Sequence, residues 1–236
     1  MMEYNSYVIS AGRSKSLPFT DDEKKEFIFL VPGGQKQDYI ESGCTKVYET
    51  GNLIQSRNWA LEDSFEQKKI CFQISDDLIS IKANTNFFKE QTFSISSIIK
   101  EFHDIFSKAR GVNLIGIAPT PNPYFAKKII QKNGFVIGDF FGVKPTPIRF
   151  DSNLTLKEDY DFTLQHYKFS GIVLRYQKYM FQFKHYTNKG GVVDYRNEKE
   201  EKKNIEYLLE KWPQYLSLNP KRENEILLKI KKTKFK

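Results

Sequence analysis

Two adjacent acids, Asp76 and Asp77, follow the apolar run "KICFQI", and Leu78, Ile79 and Ile81 come directly after them. Cys71, Phe72 and Ile74 read as a buried strand, so the acids stand at a strand's carboxyl end. In open α/β sheets that end is where ligands bind. Two carboxylates in one turn repel each other, and a divalent cation relieves the repulsion. Mg²⁺ or Mn²⁺ takes one or two protein carboxylates and fills its remaining positions with phosphate oxygens. The chemistry this spacing suits is a metal site holding a nucleotide diphosphate. The structural alternative is an exposed acidic turn, which is common.

Other residues have chemistry in reach. Arg13 follows the first strand, suited either to a nucleotide's phosphates or to a surface turn. Glu158 and Asp159 open a helix. Thr155 and Glu158 have capping-box spacing, which commits Glu158 to the cap and leaves Asp159 available. His103 and His166 fall on helices and read as packing or surface residues. His185 ends a strand and precedes "YTNKGG". Imidazole suits Mn²⁺ better than Mg²⁺. Lys189 is suited to neutralising a departing diphosphate, and Gly190 and Gly191 let the backbone approach a ligand closely. "PTPNPYF" is a rigid loop, or one that shapes a binding site with Tyr124 or Phe125 at its edge.

The elements that must position these groups alternate. Strands are expected at residues 7–10 and 26–31, with a weaker one at "CTKVYETG". "NLIQSRNWALEDSFEQK" has helical spacing at Ile54, Leu61 and Phe65, with Asn52 or Ser56 as cap. "KICFQI" follows it. Ile95, Ile98, Ile99, Phe102, Ile105 and Phe106 define an amphipathic helix closed by Gly111. "VNLIGIAP" is a strand, "YFAKKIIQKN" a short helix ended by Gly134, and "FVIGDFFGV" a strand. "LTLKEDYDFTLQHYKFSG" is a helix stopped by Gly171. Strand pairs follow up to "TNKGG", then a charged helix stopped by Pro213, then "EILLKIKK" as an edge strand. This alternation predicts an α/β sheet, largely parallel.

The chain has 236 residues, 39% hydrophobic and 15% aromatic, enough for one large domain with its own core. No apolar run is long enough to span a membrane, and the start has no signal-peptide pattern. Cys44 and Cys71 lack metal-type spacing, which predicts a reducing, cytoplasmic setting. The net charge of +8 favours a polyanionic partner, although much of the excess lies in "KIKKTKFK".

Strand, acid pair and short apolar strand together resemble the GT-A glycosyltransferases. "FIFLVPGGQKQDY", "IQSRNWALED", "GVNLIGIAPTPNPYFAKK", "VIGDFFGV", "LKEDYDFTLQHY" and "HYTNKGG", in that order, resemble the TET-associated glycosyltransferases of phages and large DNA viruses. The resemblance covers roughly residues 7–212. It departs from the common Asp-x-Asp form in having Ser75 first, so chelation falls to Asp76 and Asp77 together, or mainly to Asp77.

The resemblance implies a GT-A-like fold, a Rossmann-like nucleotide-sugar-binding mixed sheet, mostly parallel and flanked by helices. One domain spans 1–236, with a nucleotide-binding half at about 1–82, an acceptor half at about 83–195 and a helix and basic tail at 196–236. It implies transfer of a sugar, with Mn²⁺ or Mg²⁺, from a nucleotide-sugar such as a UDP-sugar to a hydroxymethylated pyrimidine in DNA. The host cytoplasm is the implied location. Ser10, Arg13, Arg57, Asn58, Ser75, Asp76, Lys189 and Gly190 would hold the donor. Asp76, Asp77 and His185 would hold the metal. Asp159, with Glu158 second, would be the base. Alternatives are a protein or glycan acceptor, a sugar-phosphate nucleotidyltransferase suggested by "SAGRSKSLPFT", and a non-catalytic DNA-binding module.

Overall fold

The computed structural model describes residues 2–89, 93–184 and 197–230. The first part of the chain runs β1 (Tyr4–Ile9), α1 (Asp21–Glu26), β2 (Ile28–Val31), α2 (Lys36–Glu41), β3 (Lys46–Glu49), α3 (Leu53–Glu66), β4 (Ile70–Ser75) and β5 (Leu78–Ala83). Next come α4 (Ile95–Lys108), β6 (Leu114–Gly116), β7 (Ile130–Lys132) and β8 (Phe140–Val143). The last part is α5 (Glu158–Ser170), β9 (Leu174–Tyr176), β10 (Tyr179–Phe183), α6 (Glu198–Lys211), β11 (Leu216–Leu218) and β12 (Ile226–Leu228).

Eight strands form a central mixed sheet in the order β3-β2-β1-β4-β8-β6-β9-β7. β1, β2, β3 and β4 pair in parallel, as do β6 and β9; β8 and β7 run antiparallel to their neighbours. The chain builds from β1 towards β3, then returns to place β4 on the other side of β1. The strand order therefore reverses between β1 and β4, and the carboxyl ends of two strands at such a switch point are where open α/β sheets bind ligands.

β4 is apolar apart from Gln73 and Ser75 because both sheet faces are covered. Ile70, Phe72 and Ile74 face a core with Ile98, Phe102 and Phe106 of α4. Cys71 faces the opposite core, with Leu61 of α3 and Phe162 of α5. A third cluster joins Ile205, Leu208 and Trp212 at α6 to Leu164 of α5 and to the β11–β12 pair.

Several local signals behave as expected. Asn52 caps α3, accepting from the Gln55 N–H while the Gln55 side chain accepts from the Asn52 N–H. Gly171 ends α5 in the left-handed region, at φ 70°.

Other expectations are corrected. Residues 26–31 are not one strand: α1 runs to Glu26 and β2 begins at Ile28. The expected helix over "YFAKKIIQKN" is not formed: a single 3₁₀ turn, Pro123–Phe125, overlaps only its start, and β7 takes up its end. Asn122 caps that turn, and β7 is drawn into the ladder by β9. In "FVIGDFFGV" only Phe140–Val143 is strand. "EILLKIKK" supplies β12, which pairs with β11 outside the central sheet. Among the described residues no helix is long and apolar enough to cross a membrane.

Candidate active site

The acid pair stands where the strand order reverses. Ser10 leaves β1 with its N–H on the Leu30 carbonyl, 3.1 Å away. Its hydroxyl donates to Asp76, at the end of β4. With that proton committed, the Tyr39 hydroxyl of α2 donates to the Ser10 oxygen. The Arg13 N–H in turn donates to the Tyr39 oxygen at 3.2 Å. Three separate elements thus fix one buried carboxylate through a relay of hydrogen bonds.

The Arg13 guanidinium completes this corner. Its Nη1 pairs with Asp76 and lies 2.7 Å from Asp77 Oδ1. Asp76 is buried, while the Asp77 side chain keeps 20% of its exposure and faces the opening. The turn between β4 and β5 is held at both edges. Ser75 Oγ accepts the Asp77 N–H at 3.3 Å, and the Asp77 carbonyl accepts the Lys184 N–H at 2.8 Å.

A second acidic corner adjoins the first. β8 runs antiparallel beside β4, so its start lies against the end of β4. There the Asp139 carbonyl accepts the Ser75 N–H at 2.8 Å. Just before it, the Gly138 carbonyl accepts from Arg57 Nη1 at 3.0 Å, and the Gly138 N–H donates to Asp159 Oδ2 at 3.1 Å. Arg57 Nη2 lies 3.3 Å from Glu158 Oε1. A Cβ at Gly138 would stand 2.7 Å from Arg57 Nη2, so a larger residue there would push the guanidinium aside.

Arg57 is buried among Phe141 and Phe150, with its guanidinium 5.5 Å and 5.1 Å from their ring centres. Planar, weakly hydrated Arg tolerates this burial better than Lys. Asn58, next to it, commits its amide to Phe150, donating to its carbonyl at 2.9 Å and accepting its N–H at 2.8 Å. Arg57 and Asn58 thus each hold protein partners, and of the two it is Arg57 that meets the second acidic corner.

The expected capping box at α5 is corrected. Lys157 holds the N-cap position in the left-handed region, with φ 58°, and makes no side-chain cap bond. Glu158 turns to Arg57, because a buried guanidinium is the stronger partner. Thr155 turns to Glu200, its hydroxyl donating at 2.6 Å.

Burial dominates the electrostatics. It pushes the Asp76 carboxyl up to about 6, against the pull of Arg13 and Ser10. It pushes Asp139 up to about 7, opposed by Arg57 and reinforced by Asp77 and Glu158. Asp159 is raised as well, by burial and then by Glu158. Carboxyls poised near neutrality in a crevice have the properties of general bases.

A divalent cation fits the acid pair on its donor chemistry. Asp76 and Asp77 converge on one positively charged atom, Arg13 Nη1, which stands in for a cation between two hard oxygen donors. Among the described residues no group of three His, Cys, Asp or Glu side chains forms a metal cluster. Two carboxylates leave the remaining positions to substrate oxygens. His185, Lys189 and Gly190 lie outside the described residues. His103 is a packing residue, its ring bonded to the Met2 carbonyl, and His166 is fully buried.

No protein-family model matches the chain, and no curated protein matches it. The functional reading therefore rests on the site itself.

Asp139 is the member of the site that sequence reasoning missed. Its signal was an acid inside the apolar run "FVIGDFFGV", read as strand alone. A charge amid strand residues is retained where it has a chemical role or a partner across the fold.

Proposed function

We propose that this chain is a divalent-cation-dependent glycosyltransferase of GT-A type, moving a sugar from a UDP-sugar to a hydroxymethylated pyrimidine in DNA. The observation that carries the reading is the convergence of Asp76 and Asp77 on one cationic atom at the switch point of the sheet. An open α/β sheet binds nucleotides at such a point. The short strand β5 that leaves the acid pair also agrees with the resemblance to TET-associated glycosyltransferases.

Asp76 and Asp77 would hold Mn²⁺ or Mg²⁺, which when bound supplies positive charge against the diphosphate leaving group. Ser10 and Tyr39 hold Asp76 in place for that task. Arg13, displaced from between the acids, is long enough to meet the donor's phosphates. Arg57 offsets the mutual repulsion of Glu158, Asp159 and Asp139 at the helix start.

The base that takes the proton from the acceptor hydroxyl is assigned to Asp139. Asp159 accepts backbone N–H groups on both oxygens, from Gly138 and Tyr160, which fixes it as a positioning residue. Asp139 is raised to about 7 as Asp159 is, but it joins the two acidic corners: its carbonyl accepts the Ser75 N–H, and its carboxyl feels both Asp77 and Glu158. A positioned base contributes about 10²–10⁴-fold.

The test is UDP release from a panel of UDP-sugars, with and without Mn²⁺. Hydroxymethylated DNA, unmodified DNA, protein and glycan acceptors are offered in parallel. Asp76→Asn combined with Asp77→Asn should fold and lose at least about 10² in rate. Undiminished, Mn²⁺-dependent release by that double variant removes the acid pair from the mechanism.

A further inference from the structure

We propose that the face formed by β5, β10 and the loop at residues 119–125 binds single-stranded nucleic acid, with one unstacked base in a cavity beside the acid pair. A cavity of about 390 Å³ opens on this face. Ser80 and Lys82 of β5 form its floor with Gln182 and Met180, their register partners on β10. Pro121 and Pro123 form a wall. The volume lies in the range of small-ligand pockets, roughly 300–1,000 Å³. Ser80 is three residues beyond Asp77, so the floor begins about 10 Å from the acid pair at ~3.3 Å per strand residue.

The loops that follow the lining residues Thr85 and Pro123 carry aromatic rings open to solvent. Tyr124 and Phe125 are each 66% exposed, and Phe87 and Phe88 are 39% and 38% exposed. The two loops that carry them are locked together. Buried Asn84 donates to the Ala126 and Gln177 carbonyls at 2.9 and 2.8 Å, and Asn86 donates to the Pro123 carbonyl at 2.6 Å. Four large rings are thus held outward on a fixed frame, an arrangement the core does not require.

The chain segments that build this face are basic. Residues 78–89, 119–134 and 174–184 contain no Asp or Glu. Lys82, Lys89, Lys127, Lys128 and Lys184 are exposed there. Lys127 Nζ lies 4.6 Å from the Tyr124 ring centre. A carboxylate does reach in from α4, where Glu101 pairs with Lys178. Stacking rings interleaved with lysines are the chemistry of single-strand binding, in which bases stack on aromatics while cations follow the phosphates. A duplex hides its base faces from such rings. An acidic peptide would meet the lysines and leave the cavity and rings without a role.

The inference stands apart from sugar transfer, because the experiment reads binding alone. Fluorescence anisotropy of the full chain is measured with a labelled single-stranded DNA of about twelve nucleotides. Single-stranded RNA of the same sequence, the matching duplex and poly-glutamate serve as further arms. The single strand should bind at least about tenfold tighter than the duplex. Tyr124→Ala with Phe125→Ala should weaken it by at least about tenfold, as loss of base stacking does. Both rings are exposed, so melting should be unchanged. Lys127→Ala with Lys128→Ala should reduce the log–log salt slope by about 0.7 for each phosphate no longer neutralised. Equal binding of DNA and RNA, or a preference for either, supports the surface and identifies its natural strand. Asp76→Asn with Asp77→Asn should leave binding intact whatever it does to transfer. Binding unaffected by the aromatic double variant, a duplex preference, or capture of poly-glutamate alone overturns the proposal.

Discussion

Arg13 Nη1 lies 2.7 Å from Asp77 Oδ1 and pairs at the same time with Asp76, so one guanidinium neutralises both acids. An incoming cation must compete with it. Arg13→Ala should therefore tighten Mn²⁺ binding by at least about threefold, since a like charge leaves the site. Titration followed by electron paramagnetic resonance reads this directly. The Asp76→Asn, Asp77→Asn variant should bind no Mn²⁺ there, and unchanged affinity after Arg13→Ala would place the cation elsewhere.

Asp139 couples stability and activity in opposite directions. Its folded carboxyl is raised to about 7 from the ordinary 3.8, with Arg57, Asp77, Glu158 and Asp159 around it. A raised carboxyl contributes stability below its unfolded pKa, and that contribution is lost as pH climbs from about 4 to about 7. Asp139→Asn should match the parent protein near pH 4 and melt several degrees higher at pH 7–8. Its turnover should fall by about 10²–10⁴-fold. Melting curves and rates across pH check both signs. Asp159→Asn, the positioning residue, should lose less turnover.

The Arg57–Glu158 pair is buried, with side-chain exposures of 8% and 10%. Arg57→Met should destabilise by about 3–5 kcal/mol, because it leaves uncompensated charge inside. Adding Glu158→Gln should recover part of that loss, and a double-mutant cycle in urea should show coupling of about 0.5–3 kcal/mol. Gly138→Ala should cost about 1–3 kcal/mol by forcing its Cβ into the guanidinium. Independent, additive losses would mean that the pair does not organise this corner.

His166 is fully buried against Phe162, and among the described residues neither ring nitrogen has a hydrogen-bond partner. Burial drives its pKa down to about 3. A depressed histidine contributes stability above its unfolded pKa near 6.5, lost as pH falls towards 3. His166→Leu should be neutral or stabilising by about 1 kcal/mol at pH 7, since an orphaned polar group is replaced by an apolar one. Its acid limb should also be shallower in denaturation curves between about pH 6 and pH 3. A strong destabilisation at pH 7 would reveal a role for the ring beyond packing.

Local pattern alone determined much of this protein. The 3.6-residue spacing of Ile95, Ile98, Ile99, Phe102 and Phe106 defined α4, and the unbroken apolar run of β4 placed the acid pair at a strand end. Asn52, Gly171 and Pro213 marked helix boundaries because their preferences act within one turn. What only the tertiary structure decided were the partners. Arg13 meets Asp76 across 63 positions, and Arg57 meets the Gly138 carbonyl across 81. Thr155 and Glu158 have the spacing of a cap, yet each found a stronger partner elsewhere in the fold. Asp139 looked like an interruption of a strand until β8 was laid antiparallel beside β4. Periodicity and capping are written within a few residues, so they are legible in sequence. Charge pairing and burial depend on which distant segments the sheet brings together, and no short stretch of chain carries that information.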